Sequence, residues 1–210
     1  MNTLQLVSKL ADACYGFLAL NFLWGLYCVI LVWRRLWQLR FRSADAETQW
    51  VEEFEGHLRN KNDKVAAEMC DYDYRALPRL CLLMLANRRM KFAQLRQTVS
   101  TALQRSILAD LEYRLSWIVT VIKSGPLLGL FGTVLGMMAA FGRIGTGEKV
   151  QPSQIADEIS VALICTAMGL GTAIPLGYIL AALSIRVRLL QESLEANLAR
   201  ILEFFRNENP

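Results

Sequence analysis

Two hydroxyl side chains, Thr133 and Thr166, stand in long runs of apolar residues where little else can form a hydrogen bond. A hydroxyl both donates and accepts, so two at one level could hand on a proton or hydrate a passing ion. They could equally bond back to their own helix carbonyls, as intramembrane threonines commonly do. The surroundings limit the chemistry. Ala13 to Trp33, Ser124 to Gly142 and Ile159 to Ile185 contain no Asp, Glu, Lys, Arg or His. A proton path across a bilayer needs a group that changes protonation, and threonine does not titrate. Any such carboxylate must come from another polypeptide. The nearest acids in this chain, Asp157 and Glu158, either collect cations at a pore mouth or favour a helix N-terminus.

These runs are long enough to cross a hydrocarbon core, which takes about 20 apolar residues, so the fold predicted is all-α with three membrane spans. Gly125, Gly129, Gly132 and Gly136 are spaced four, three and four, which puts them on one face of the second span. The third span offers Gly169, Ala173 and Gly177. Lipid gives no hydrophobic drive to helix pairing, so small residues that admit close backbone approach predict packing of spans two and three. At ~1.5 Å per residue, Thr133 lies about 14 Å, and Thr166 about 12 Å, from the outer ends of their spans. They therefore sit at similar depth. Pro126 and Pro175 each remove a backbone bond and permit a kink, either a gating joint or a static bend. The first span, with Tyr15, Phe17, Phe22, Trp24, Tyr27 and Trp33, reads as a lipid-facing outer helix.

Charge sets the orientation. Arg34, Arg35, Arg40 and Arg42 follow the first span, and Arg186 and Arg188 follow the third. Basic residues hold those ends in the cytoplasm, while Lys123 snorkels at the inner end of span two. The expected layout is a periplasmic N-terminus at 1–12, spans at 13–33, 115–142 and 159–185, and a cytoplasmic region at 34–114. A periplasmic loop at 143–158, with Arg143 and Lys149, and a cytoplasmic helix at 186–210 complete it. The first span lacks a cleavage signal and is too long for a secretory leader. Within the cytoplasmic region, breaks are expected at Asn60–Asp63 and at Asp71–Asp73 with Pro78 just beyond. Leu95, Val99, Leu103, Ile107 and Leu111 recur every fourth residue on a helix expected to run unbroken into span two. Leu189, Leu190, Leu194, Leu198, Ile201 and Leu202 line a second rod leaving span three. These stripes pack either within one subunit or between subunits.

Other classes fall away. The net charge of +4 is explained by the arginines beside the spans, with no nucleic-acid motif beside them. One histidine and five cysteines without C-x-x-C spacing suggest no metal site, cofactor or disulfide framework. No nucleophile–base arrangement or phosphate loop is present, so an enzyme is not expected.

The run Gly125-Pro126-Leu127-Leu128-Gly129-Leu130-Phe131-Gly132-Thr133-Val134-Leu135-Gly136-Met137 closely resembles the second-span signature of the MotA/TolQ/ExbB proton-channel family. Ala162 to Leu170 and on through Ala173-Ile174-Pro175 resemble the third. Leu111 to Arg188 share the likeness, and three spans place it with the ExbB/TolQ branch. The resemblance implies a homopentamer in a bacterial inner membrane, with spans two and three around a pore. Thr133 and Thr166 take the positions of the family's pore threonines. It further implies an ExbD/TolR-type single-span partner supplying the intramembrane aspartate, and a TonB- or TolA-like protein as recipient of the work. The function implied is a stator-like proton-channel subunit driven by the proton-motive force; the alternative is a non-conducting scaffold that anchors a single-span partner. One position departs: the branch has a glutamate five residues before the third-span threonine, and Val161 stands there.

Overall fold

The structure, a computed structural model, describes residues 3–145 and 151–208; Lys149 and the middle of the expected 143–158 loop lie outside the described residues. The described residues are helical with short breaks and no strand: α1 (Thr3–Leu39), α2 (Ala44–Arg59), α3 (Asp63–Asp71), α4 (Ala76–Ala86), α5 (Phe92–Ala102), a π-helical turn (Leu103–Leu108), α6 (Ala109–Gly145) and α7 (Pro152–Glu208). Parts of α1, of the helix from Phe92 to Gly145 and of α7 are long and apolar enough to cross a membrane.

Several boundaries differ from those expected. The first span belongs to a helix that already runs at Thr3 and continues to Leu39. The loop placed at 143–158 is shorter, because α6 holds to Gly145 and α7 starts at Pro152. Proline suits a first helical position, where its missing N–H costs nothing. Asp157 and Glu158 therefore lie beyond the first turn of α7, which contains no acid, and do not serve its N-terminus. Pro78 sits in the first turn of α4, just beyond the break expected at Asp71–Asp73.

The chain divides into two compact units, Met1–Ile30 with Leu115–Ala182 and Leu31–Arg114 with Leu183–Pro210. In the first, α1 presents Cys14 and Leu18 as buried residues and leaves Phe17, Leu20, Leu23, Trp24 and Tyr27 exposed. The buried side is small and narrow. A Cβ on Gly25 would stand 2.8 Å from Val121 Cγ1 and 2.9 Å from Leu176 Cδ1.

The second unit settles where its two leucine stripes go. Leu95, Val99, Leu103, Ile107 and Leu111 are all buried, as are Leu190, Leu194, Leu198, Ile201 and Leu202, whereas Leu189 is exposed. Both stripes are covered within one chain. A four-residue interval advances about 40° per step on an α-helix, so five such residues should wander by about 160°. The π turn, where the Ala109 N–H reaches back to Gln104 O, takes up one extra residue, or about 100° of phase, and keeps the stripe on one side. Polar pairs fix the register of α7 against α2. Arg200 grips the nearly buried Glu55 through Nε at 2.7 Å and Nη2 at 2.8 Å. Glu47 Oε1 accepts from Ser193 Oγ at 2.5 Å and Asn197 Nδ2 at 2.6 Å. The α2 end is capped by Ser43, whose hydroxyl accepts from the Ala46 N–H at 3.1 Å. Asp45 and Glu47 in the first turn and His57 and Arg59 in the last suit the helix dipole.

Candidate functional site

The seam between α6 and α7 is built by glycine. A Cβ on Gly129 would stand 2.7 Å from Cys165 O and 3.0 Å from Thr166 Cα; one on Gly136 would meet Ala162 Cβ at 2.6 Å. Gly132 faces Cys165 Sγ at 3.1 Å, Gly125 faces Gly169 O at 3.2 Å, and Gly169 in turn faces Gly125 O at 2.6 Å. A real Cβ does not fit at the distances found for Gly129, Gly136 and Gly169, and those for Gly125 and Gly132 are tighter than nearly all real contacts, so the two helices approach this closely because these positions lack side chains. Ala173 is buried. Gly177 takes no part: nothing lies within 4 Å of where its Cβ would be. It shares the spacing of the small residues but falls where α7 has no close neighbour among the described residues.

That approach brings Thr133 and Thr166 together. Their hydroxyls hydrogen-bond to each other. Thr133 Oγ1 lies 3.1 Å from Gly129 O in its own helix and 3.1 Å from Ala162 O across the seam. Thr166 Oγ1 lies 3.2 Å from Gly129 O. Each hydroxyl thus reaches the other helix's backbone, which is more than the self-bonding expected of an isolated intramembrane threonine. Thr133 is buried and Thr166 half-buried.

Toward the Gly145 end, a cavity of 350 Å³ is lined by Tyr15, Gly136, Arg143, Asp157, Glu158 and Val161, among others. Glu158 Oε1 pairs with Arg143 Nη1 at 2.7 Å, and the Tyr15 hydroxyl donates to Val161 O at 2.6 Å. Glu158 is therefore an ion-pair partner rather than a free collector of cations, and Asp157 is the acid on that rim with no ion-pair partner among the described residues. Tyr15 ties α1 to α7 instead of facing outward. Pro126 and Pro175 both lie inside continuous helices.

A second polar cluster was not anticipated. Asn21 Nδ2 donates to Val121 O at 3.2 Å, and Ser124 Oγ donates to Asn21 Oδ1 at 2.9 Å. Thr172 Oγ1 lies 3.1 Å from the Gly125 Cβ position and donates to Gly169 O at 2.8 Å. The signal was present: Cys14, Leu18, Asn21, Gly25 and Cys28 repeat at four, three, four and three, marking an inner face of α1 that its aromatics obscured. Among the described residues no group of three or more His, Cys, Asp and Glu could hold a metal.

A three-span helical chain with a glycine seam and paired threonines can now be compared with known proteins. The profile of the MotA/TolQ/ExbB proton channel family matches residues 76–196, more than half of the 210-residue chain. The chain belongs to that family. Its similarity is to the ExbB/TolQ branch. The Tol-Pal system protein TolQ of Haemophilus influenzae is 36% identical over 96 residues, which is 46% of this chain and 42% of the relative. The TolQ of Pseudomonas aeruginosa is 43% identical over 65 residues, 31% of this chain and 28% of the relative. The biopolymer transport protein ExbB of Aquifex aeolicus is 42% identical over 66 residues, 31% and 45% respectively. The matches thus span less than half the length of these curated relatives. In this MotA/TolQ/ExbB chain both seam threonines and all five seam glycines fall inside the matched region.

Proposed function

We propose that this chain is a proton-channel subunit of an inner-membrane complex that converts the proton-motive force into envelope transport or mechanical work. The observation that supports it most directly is the hydroxyl pair of Thr133 and Thr166, set in an apolar seam of a family chain. Thr166, the half-buried member, hydrates the path, and Thr133 holds it in place. The apolar spans contain no Asp, Glu, Lys, Arg or His, so a single-span ExbD/TolR-type partner supplies an aspartate at their level. Exposed apolar residues on α6 and α7, such as Leu127, Phe131, Val134, Leu163 and Ile174, suit assembly into a homopentamer and contact with lipid. The N-terminus and the helix ends at Gly145 and Pro152 face the periplasm, by the arginine distribution. Asp157 offers a cation-attracting rim beside the Arg143–Glu158 pair, and a TonB- or TolA-like protein receives the work.

The test is proton flux into liposomes containing this chain and such a partner. Flux should be present with the wild-type pair and fall at least tenfold for Thr133→Val with Thr166→Val, while the complex still purifies intact. A second reading, a non-conducting scaffold, draws on the backbone bonds that hold the Thr133 hydroxyl. Wild-type flux no greater than that of empty liposomes, from an intact complex, would decide for the scaffold.

A further inference from the structure

A second cavity, of 390 Å³, lies in the unit formed by Leu31–Arg114 and Leu183–Pro210, and it has no part in the threonine seam. Arg35, Arg75 and Arg79 line it, with Tyr72, Tyr74 and Asp73. Its charge is not balanced. Arg35 and Arg114 share the single carboxylate of Asp110, through Nε at 3.1 Å and 3.0 Å. That leaves most of the five donors of the Arg35 guanidinium uncommitted. Arg75 pairs with Asp73 at 3.5 Å while its guanidinium lies 4.4 Å over the Phe41 ring, which fixes its position. Arg79 is exposed and has no ion-pair partner among the described residues. Tyr72 and Tyr74 are 89% and 79% exposed, unusually open for aromatic side chains.

The height of this cavity along α1 is informative. α1 is apolar from Ala13 to Trp33 and helical to Leu39. Arg35 therefore stands about 3 Å beyond the apolar stretch, at ~1.5 Å per residue. That is the depth at which a bilayer presents its phosphates, and where tyrosine and tryptophan rings prefer to lie. Trp33 itself carries the Arg186 guanidinium 4.4 Å above its ring, a second cation at that level.

We propose that the cavity between Arg35, Arg75 and Arg79 binds a phosphate group, gripped by guanidinium donors and flanked by Tyr72 and Tyr74. An anionic phospholipid head group and a free phosphate share this chemistry, and the experiment separates them. The full chain is purified in a zwitterionic detergent, and its thermal unfolding is followed with added short-chain phosphatidylglycerol, short-chain phosphatidylcholine or inorganic phosphate. Phosphatidylglycerol should raise the midpoint in a saturable way and phosphatidylcholine should not. A rise with inorganic phosphate as well assigns the site to soluble phosphate; its absence assigns it to lipid. Arg79→Gln removes an exposed side chain that holds nothing in place, so it should fold normally. Its apparent affinity should drop roughly fivefold, the usual worth of one basic residue at an anionic surface. Arg206→Gln, outside the cavity, should leave it unchanged. Equal affinity of wild type and Arg79→Gln, or an equal drop for Arg206→Gln, overturns the proposal.

Discussion

Replacing Gly129 by alanine tests whether the seam is set by backbone contact. The added Cβ would meet Cys165 O at 2.7 Å and Thr166 Cα at 3.0 Å. Ordinary contact begins near 3.4 Å, and neither neighbour is a flexible side-chain end. α6 and α7 must therefore part by several tenths of an ångström. Overpacking of this kind costs about 1–3 kcal/mol. Alanine also favours a helix over glycine by roughly 0.5–1 kcal/mol, which would blur the result if read alone. Gly177→Ala supplies the control, since nothing lies within 4 Å of its Cβ position and it makes the same gain. Propensity cancels in the comparison, leaving about 1–3 kcal/mol between the two variants. For a chain of this size each kcal/mol moves the unfolding midpoint by about 2–4 °C. Gly129→Ala should thus unfold roughly 2–12 °C below Gly177→Ala in the same detergent. Equal midpoints would show that the helices yield freely there, and the close-contact account of the seam would fail.

Three further outcomes follow from other contacts. Asn21→Leu removes the bonds to Val121 O and Ser124; polar contacts between membrane helices average about 0.6 kcal/mol, so a small but measurable loss of thermal stability is expected. Arg200→Ala leaves the nearly buried Glu55 carboxylate without its counter-charge and should cost about 1–3 kcal/mol, most of it restored by adding Glu55→Gln, as a double-mutant cycle would read. Burial, followed by the charges of Asp73 and Asp71, pushes the Cys70 thiol up to about 12, and burial pushes Cys81 well above its ordinary value. In a chain keeping only these two cysteines, an alkylating reagent at pH 7.5 should label neither until the protein is unfolded. Because the folded thiol of Cys70 holds its proton more tightly, its contribution to stability is intact below pH 9 and declines from there toward 12, which a pH series of unfolding midpoints would follow.

Much of this architecture could be read from the sequence, because membrane spans and small-residue faces obey simple periodicities. Charge-free runs marked the spans, the Gly125-to-Gly136 spacing marked the seam, and equal depth brought Thr133 to Thr166. Charge pairing and helix ends were harder to read. Arg143 and Glu158 are fifteen residues apart on different helices, and nothing local in either predicts their union. The end of α6 and start of α7 lie deeper in the expected loop because Gly145 and Pro152 are compatible with helix ends there. The stripe from Leu95 to Leu111 looked regular at four-residue intervals, but the sequence did not reveal the π turn needed to keep such an interval on one side. Asn21 is harder to read, because its aromatic neighbours make α1 look one-sided.

Gly129 joins two duties in one residue: it is a point of closest approach between the helices, and its carbonyl receives both hydroxyls. Separation and polarity at this level therefore cannot be tuned independently. A bulkier residue at 129 would draw the Thr166 hydroxyl away from that carbonyl while Thr133, on the same helix, keeps it, and loss of either threonine would leave the oxygen with one hydroxyl instead of two. Natural drift here should travel in compensated sets, with single substitutions at 129, 133 or 166 strongly epistatic on the other two.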